Sequence, residues 1–245
     1  IEVGGLLLII FYGRDTFSTL DFANMTLPTS YDGIFMGAFI AFYAYIGFED
    51  MVNTAEETIN AEKTLPRAIF MAVISATILY VLVAWVIVGS FPAKVLAQTS
   101  MPLVEIIKQQ GQSPLLFSII ALISISNGIL VQIIMASRLI YGMAKQQNAP
   151  QFFATVNKTT QTPIYSTILV LFIILIFAYA LPITTLAKLT SSVMLCVFLM
   201  IHAALIKIKL TEKKPPGTFS MPILFPIFSI ILTVGFLGIQ FFLNS

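Results

Sequence analysis

Apolar residues run almost unbroken over 33–48, 67–91, 115–143, 164–181, 184–206 and 221–243, with short polar stretches between them. Runs near 20 residues fit a bilayer crossed by α-helices, since the hydrocarbon core is about 30 Å thick. Barrel strands would instead show short segments that alternate apolar and polar. Pro66, Pro92, Pro114, Pro163, Pro182 and Pro222 lie at or near the run edges. There a ring without an N–H starts or stops a helix. The chain opens partway through a further run, GGLLLIIFYG, which reads as the tail of a helix that begins upstream. A piece of a longer protein is therefore expected. The predicted elements are a helix tail at 1–13, an interrupted helix within 33–58, and helices at 66–91, 114–146, 164–181, 184–207 and 221–243. An outer loop with an amphipathic helix is expected at 92–113 and a cytoplasmic connector at 147–163.

The loops orient these helices. If the runs alternate sides, one side holds Lys63, Arg67, Arg138, Lys145, Lys158, Lys207, Lys209, Lys213 and Lys214, nine of the 13 lysines and arginines. The other holds Arg14, Lys94, Lys108 and Lys188. The richer side is assigned to the cytoplasm. Composition agrees with a membrane protein: 58% of the 245 residues are hydrophobic and 10% charged, against about a quarter charged in soluble domains. The fold class expected is an all-α polytopic membrane protein. A net charge of +2 does not indicate a nucleic-acid partner, because the basic residues sit in the loops. Cys196 is the one cysteine and lies in an apolar run, so no disulfide framework or thiolate metal site is expected. Neither H-E-x-x-H nor G-x-S-x-G occurs at membrane depth. An enzyme is not expected, nor a cofactor or metal. His202, in an apolar helix, reads as a hydrogen-bonded core residue or a proton relay.

One segment does not fit a plain crossing. In AFYAYIGFEDMVNTAEE, residues 41–57, the apolar run meets Gly47 and then two adjacent carboxylates, Glu49 and Asp50. A glycine inside a helix costs about 1 kcal/mol, and a charge at the bilayer centre roughly 2.5–3.5 kcal/mol. Both are tolerated where a helix breaks and lines a polar cavity. The freed N–H and C=O groups then become ligands for a zwitterion or a cation. On that reading Tyr43 to Glu49 form an unwound link between two half-helices. The alternative is a short helix that ends at Phe48, with both acids in interfacial water; Gly33 to Phe48 spans only about 24 Å as helix.

The stretch AFYAYIGFEDMVNTAEETINAEKTLPRAI resembles the sixth helix and following loop of the amino acid–polyamine–organocation (APC) permeases. That family writes an aromatic, then A-[FY]-x-G-[FV]-[DE], then A-E-E, then a proline-led helix. Here the pattern is Tyr43, Ala44-Tyr45-Ile46-Gly47-Phe48-Glu49, Ala55-Glu56-Glu57 and Leu65-Pro66. SNGILVQIIMASRLIYGMAKQQNAPQFFATVNKTTQTP is similar to the family's eighth helix and its exit, with Ser137-Arg138, Tyr141, Met143-Ala144, Lys145 and Pro150. It departs at Gln146, Gln147 and Asn148, where an acid and a glycine are replaced, so that turn need not keep the family's geometry. Lys214-Pro215-Pro216-Gly217-Thr218-Phe219, ahead of Pro222, resembles the loop before the eleventh helix. The resemblance implies a LeuT-like inverted-repeat transporter, of which this chain would carry helix five's end to helix eleven and the whole second repeat. The first repeat, with its own broken helix, would lie outside it.

The same resemblance implies secondary transport of amino acids or related amines by alternating access in the cell membrane. Tyr43 would gate bound substrate, while Ala44, Tyr45, Ile46 and Gly47 would offer backbone carbonyls to its ammonium. Glu49 would be either a coupling acid or a fixed structural tie. Ser124, Asn127, Gly128 and Gln132 share one helix face at i, i+3, i+4 and i+8. They line a pocket, Asn127 and Gln132 facing substrate, or they glue helices together. Arg138 closes an inner gate with Glu56 and Glu57, or simply snorkels to the cytoplasmic interface. Asn127 and Gly128 stand at the level where sodium-coupled relatives of this fold place hydroxyls, which favours proton coupling or exchange. The partners implied are a small-molecule substrate, the lipid bilayer and a second copy in a homodimer. A non-transporting receptor or scaffold on the same fold is the alternative function.

Overall fold

The computed structural model describes residues 2–18, 31–53, 55, 58–99, 101–211 and 221–244, and among them every regular element is helical. The α-helices are α1 (Glu2–Tyr12), α2 (Asp32–Tyr43), α3 (Asp50–Asn53), α4 (Ala61–Ser90) and α5 (Ala93–Gln98). They continue with α6 (Pro102–Gln109), α7 (Pro114–Lys145), α8 (Ile164–Ala180), α9 (Ile183–Thr211) and α10 (Leu224–Asn244). Short 3-10 turns occupy Arg14–Ser18 and Gln151–Ala154. By length and composition α4, α7, α9 and α10 can each cross a membrane. The 32 residues of α7 span about 48 Å, more than a hydrocarbon core. Large apolar side chains along these helices lie exposed, among them Leu122, Ile125 and Ile129 on α7 and Phe172 and Leu175 on α8. Surface of that kind is stable against lipid or further protein, not water. The molecule is a multi-pass membrane protein.

Chain contacts divide it into two compact units, with α4 and α8 passing from one to the other at Ile74 and Ile173. In the first, α1, α6 and α7 pack on one another around Ile9, Val86, Phe91, Ile106, Ile107 and Phe117. The amphipathic pattern of 92–113 resolves into two helices rather than one. Pro102 starts α6, and a proline disfavours helical backbone in the residue before it; Met101 accordingly leaves the helical region (φ −138°, ψ 64°), and Thr99 is extended (φ −89°, ψ 118°). α6 then turns Ile106 and Ile107 into the cluster. Its Glu105–Lys108 pair stays outside, at 3.1 Å, where such a pair adds little. At the other end of α7 the 3-10 turn packs against it, and the buried Ser166 hydroxyl of α8 donates to the Phe153 carbonyl at 3.1 Å.

In the second unit α2, α9 and α10 pack together. The buried Ser191 hydroxyl of α9 donates to the Phe39 carbonyl of α2 at 3.4 Å, and Phe39 also meets Phe236 of α10 with ring centres 5.6 Å apart. α4 begins at Ala61, upstream of Pro66, which lies inside it. Asn60, left-handed at φ +53°, turns the chain into the helix, and its carbonyl takes the amides of Lys63 and Thr64, both at 3.0 Å. Pro66 supplies no N–H to the Glu62 carbonyl, but Glu62 is exposed near the helix start, where solvent can take that place. α9 runs on to Thr211. The stretch holding Lys213 and Lys214 lies outside the described residues.

Candidate functional site

α2 ends at Tyr43, and turns occupy Ala44 to Glu49 before α3 resumes at Asp50. The turn is held by tightened bonds: Tyr45 N–H to the Phe42 carbonyl at 3.0 Å, Ile46 N–H to Tyr43 at 3.2 Å, and Asp50 N–H to Gly47 at 3.2 Å. Gly47 adopts φ +128°, a region closed to side-chain-bearing residues at ordinary cost. Apart from its two chain neighbours, nothing among the described residues lies within 4 Å of where its Cβ would be. The glycine is therefore required by backbone conformation, not by space. Its N–H donates to Glu49 Oε2 at 2.8 Å. The Ile46 carbonyl accepts no hydrogen bond among the described residues.

Aromatic packing fixes both flanks. The ring of Phe198 on α9 meets Phe42 before the turn, edge-on at 6.1 Å, and Phe48 within it, tilted at 5.8 Å. One turn further along α9, His202 Nδ1 lies 2.6 Å from the Phe198 carbonyl, so the imidazole donates to its own helix. Tyr43 and Ala44 are exposed, whereas Tyr45, Ile46, Gly47, Phe48, Glu49 and Asp50 are half-buried. A half-buried carboxylate and a bare carbonyl in one unwound turn suit a cation or an ammonium group.

The remaining predicted residues lie on α7, in the other unit. α7 is continuous through Ser124, Asn127, Gly128 and Gln132, so they do share a face. Asn127 and Gln132 are exposed on it, and Gly128 has open space where a Cβ would lie. Ser124 is half-buried, and its Oγ lacks a hydrogen-bond partner among the described residues. Arg138 is exposed near the C-terminal end of α7. Its proposed partners Glu56 and Glu57 lie outside the described residues. Phe198 was not singled out by the sequence, where it reads as one apolar residue among 21 phenylalanines. The Ile46 carbonyl was expected there only as one of four, which side-chain identity does not tell apart.

Helices interrupted at membrane depth recur in multi-pass secondary transporters. The family model for amino acid permeases matches residues 4–245. The chain belongs to the amino acid permease family. Similar proteins include the branched-chain amino acid permease BcaP of Bacillus subtilis, 28% identical over 228 residues, which cover 89% of this chain and 49% of that protein. The mitochondrial cationic amino acid transporter 3 of Arabidopsis thaliana is 29% identical over 203 residues, or 80% of this chain and 33% of the relative. The methylthioribose transporter of Bacillus subtilis is 28% identical over 207 residues, or 84% and 44%. The chain spans half or less of the length of these relatives.

Proposed function

We propose that this chain forms part of a permease that moves amino acids or related amines across the cell membrane by alternating access, driven by protons or by exchange. One observation carries the reading: α2 is interrupted at Gly47, and the turn leaves the Ile46 carbonyl without a partner. A bare carbonyl in an apolar setting is costly unless something donates to it, and a substrate ammonium has three N–H donors. In this reading the backbone of Ala44, Tyr45, Ile46 and Gly47 receives the ammonium, and Tyr43, exposed at the end of α2, folds over it. The sequence-based assignments of Asn127 and Gln132 to substrate, and of Arg138 with Glu56 and Glu57 to an inner gate, are part of this proposal. The assignment of α2 to α10 to the second inverted repeat and its flanking helices, and of the protein to a homodimer, belong to the same proposal. The names of the branched-chain and cationic amino acid transporters support an amino acid substrate.

The test is uptake of labelled amino acids by the full-length protein in liposomes, with and without a pH gradient. Gly47→Leu forces a branched residue into φ +128° and is expected to lower uptake more than tenfold while the protein still reaches the membrane. Wild-type uptake indistinguishable from empty liposomes, across a panel of neutral, cationic and acidic amino acids, would sink the reading in favour of a non-transporting receptor.

A further inference from the structure

The N–H of Gly47 and the C=O of Ile46 are two ends of one peptide group. That group is planar and trans, so its N–H and C=O point in opposite directions. Glu49 Oε2 accepts from the N–H at 2.8 Å, and the carbonyl at the far end accepts no hydrogen bond among the described residues. Phe48 and Phe42, on either side, are both seated on Phe198. Among these anchored neighbours, the Ile46–Gly47 peptide is the piece that glycine's conformational freedom leaves loose to rotate. We propose that Glu49 is a positioning residue: by holding the Gly47 N–H, its carboxylate aims the Ile46 carbonyl at the substrate's ammonium group. The inference rests on the reading of the break as a substrate site. It assigns Glu49 a role that needs an oxygen acceptor rather than a proton that comes and goes.

Such a role makes an unusual demand on substitution. A glutamine amide oxygen accepts the same bond from the same distance along the side chain, whereas methionine matches the length and offers only a weak thioether acceptor. In the full-length protein, Glu49→Met is expected to raise KM roughly tenfold with kcat within about twofold, the loss of one well-aimed charge-assisted contact. Glu49→Gln is expected to restore KM to within about threefold of wild type and to keep the pH profile of uptake. Hydrogen exchange of the peptide covering residues 44–49 reads the clamp without any transport: exchange should quicken in Glu49→Met and return to the wild-type rate in Glu49→Gln. If Glu49→Met fails to fold, Glu49→Ala replaces it in the same comparison.

Equal impairment of the Met and Gln variants, or exchange that neither alters, overturns the proposal. A flattened pH profile in Glu49→Gln with KM retained makes Glu49 a coupling acid and overturns it as well. Should the wild type transport nothing while exchange still follows the predicted order, the clamp stands and the transport reading falls.

Discussion

Where α1 gives way to its following turn, a Cβ placed on Gly13 would lie 2.1 Å from Val86 Cγ1; at the break after α2, the same added carbon on Gly47 would meet nothing within 4 Å. Gly13 has no need of an unusual backbone, and it is there because α1 and α4 come too close for a side chain. Val86 cannot yield, being fully buried in the cluster with Ile9, Ile106 and Phe117 and stiff about χ1. Gly47 is the reverse case, with room for a side chain and a φ of +128° that forbids one. One glycine holds packing together and the other holds a conformation open. The difference separates a region built for stability from one whose irregular backbone is available to a ligand.

Substitution can break that comparison at either end. The largest effect is expected for Gly13→Ala, where overpacking costs about 1–3 kcal/mol. It should appear as a lower unfolding midpoint in detergent, followed through the emission of Trp85, the protein's one tryptophan and a chain neighbour of Val86. If sterics are the cause, adding Val86→Ala removes the clashing methyl groups and recovers part of the loss. A double variant no more stable than Gly13→Ala alone would show that Gly13 answers to backbone conformation after all.

Gly47→Ala is the counterpart, with a smaller expected effect on the fold. Strain at a glycine-only φ costs of order 1–3 kcal/mol, but the turn can relax locally instead of passing the strain to α2 and α9. The unfolding midpoint is therefore expected to fall less than for Gly13→Ala, while uptake falls more. No trimming of a neighbour should rescue it, since none touches the site. Rescue by truncating Phe48 or Phe198 would mean the space is not open and would erase the distinction between the two glycines.

The same contrast explains which features could be read from sequence. Gly47 stands out because it sits in an apolar run just before two acids, a local conflict visible in a dozen residues. Gly13 closes a run that reads as an ordinary helix tail, and nothing local announces Val86. Apolar runs reveal the helices and the membrane class, whereas the family resemblance rests on the motifs around Gly47 and Arg138. The positions of element ends are less legible where backbone chemistry decides. Pro66 suggests a helix start, yet α4 begins at Ala61, five residues earlier, where Asn60 turns the chain into it. Pro102, given no role by the sequence pattern, splits the outer segment into α5 and α6. Phe198 is hidden for a different reason: a phenylalanine in an apolar helix looks the same whether it faces lipid or spans the two flanks of a break.

The smallest effect tests whether conformation alone, without crowding, has a measurable cost. α7 ends at Lys145, and beyond it Asn148 N–H donates to the Met143 carbonyl at 2.9 Å while Gln147 N–H donates to Ala144 at 3.2 Å. That pair of bonds is a Schellman cap, whose left-handed residue is usually glycine. Here it is Gln147 at φ +63°, the position where the resembling motif carries glycine. The turn keeps the cap geometry with a residue that adopts it at some strain. Gln147→Gly relieves that strain but also frees the unfolded chain, so a net gain of only about 0.5–1 kcal/mol is expected. It should raise the unfolding midpoint slightly and leave uptake unchanged, because Gln147 lies at the exposed exit of α7. A fall in the midpoint would mean that the Gln147 side chain makes a contact worth more than the strain, and that a left-handed φ is by itself a poor guide to where glycine is needed.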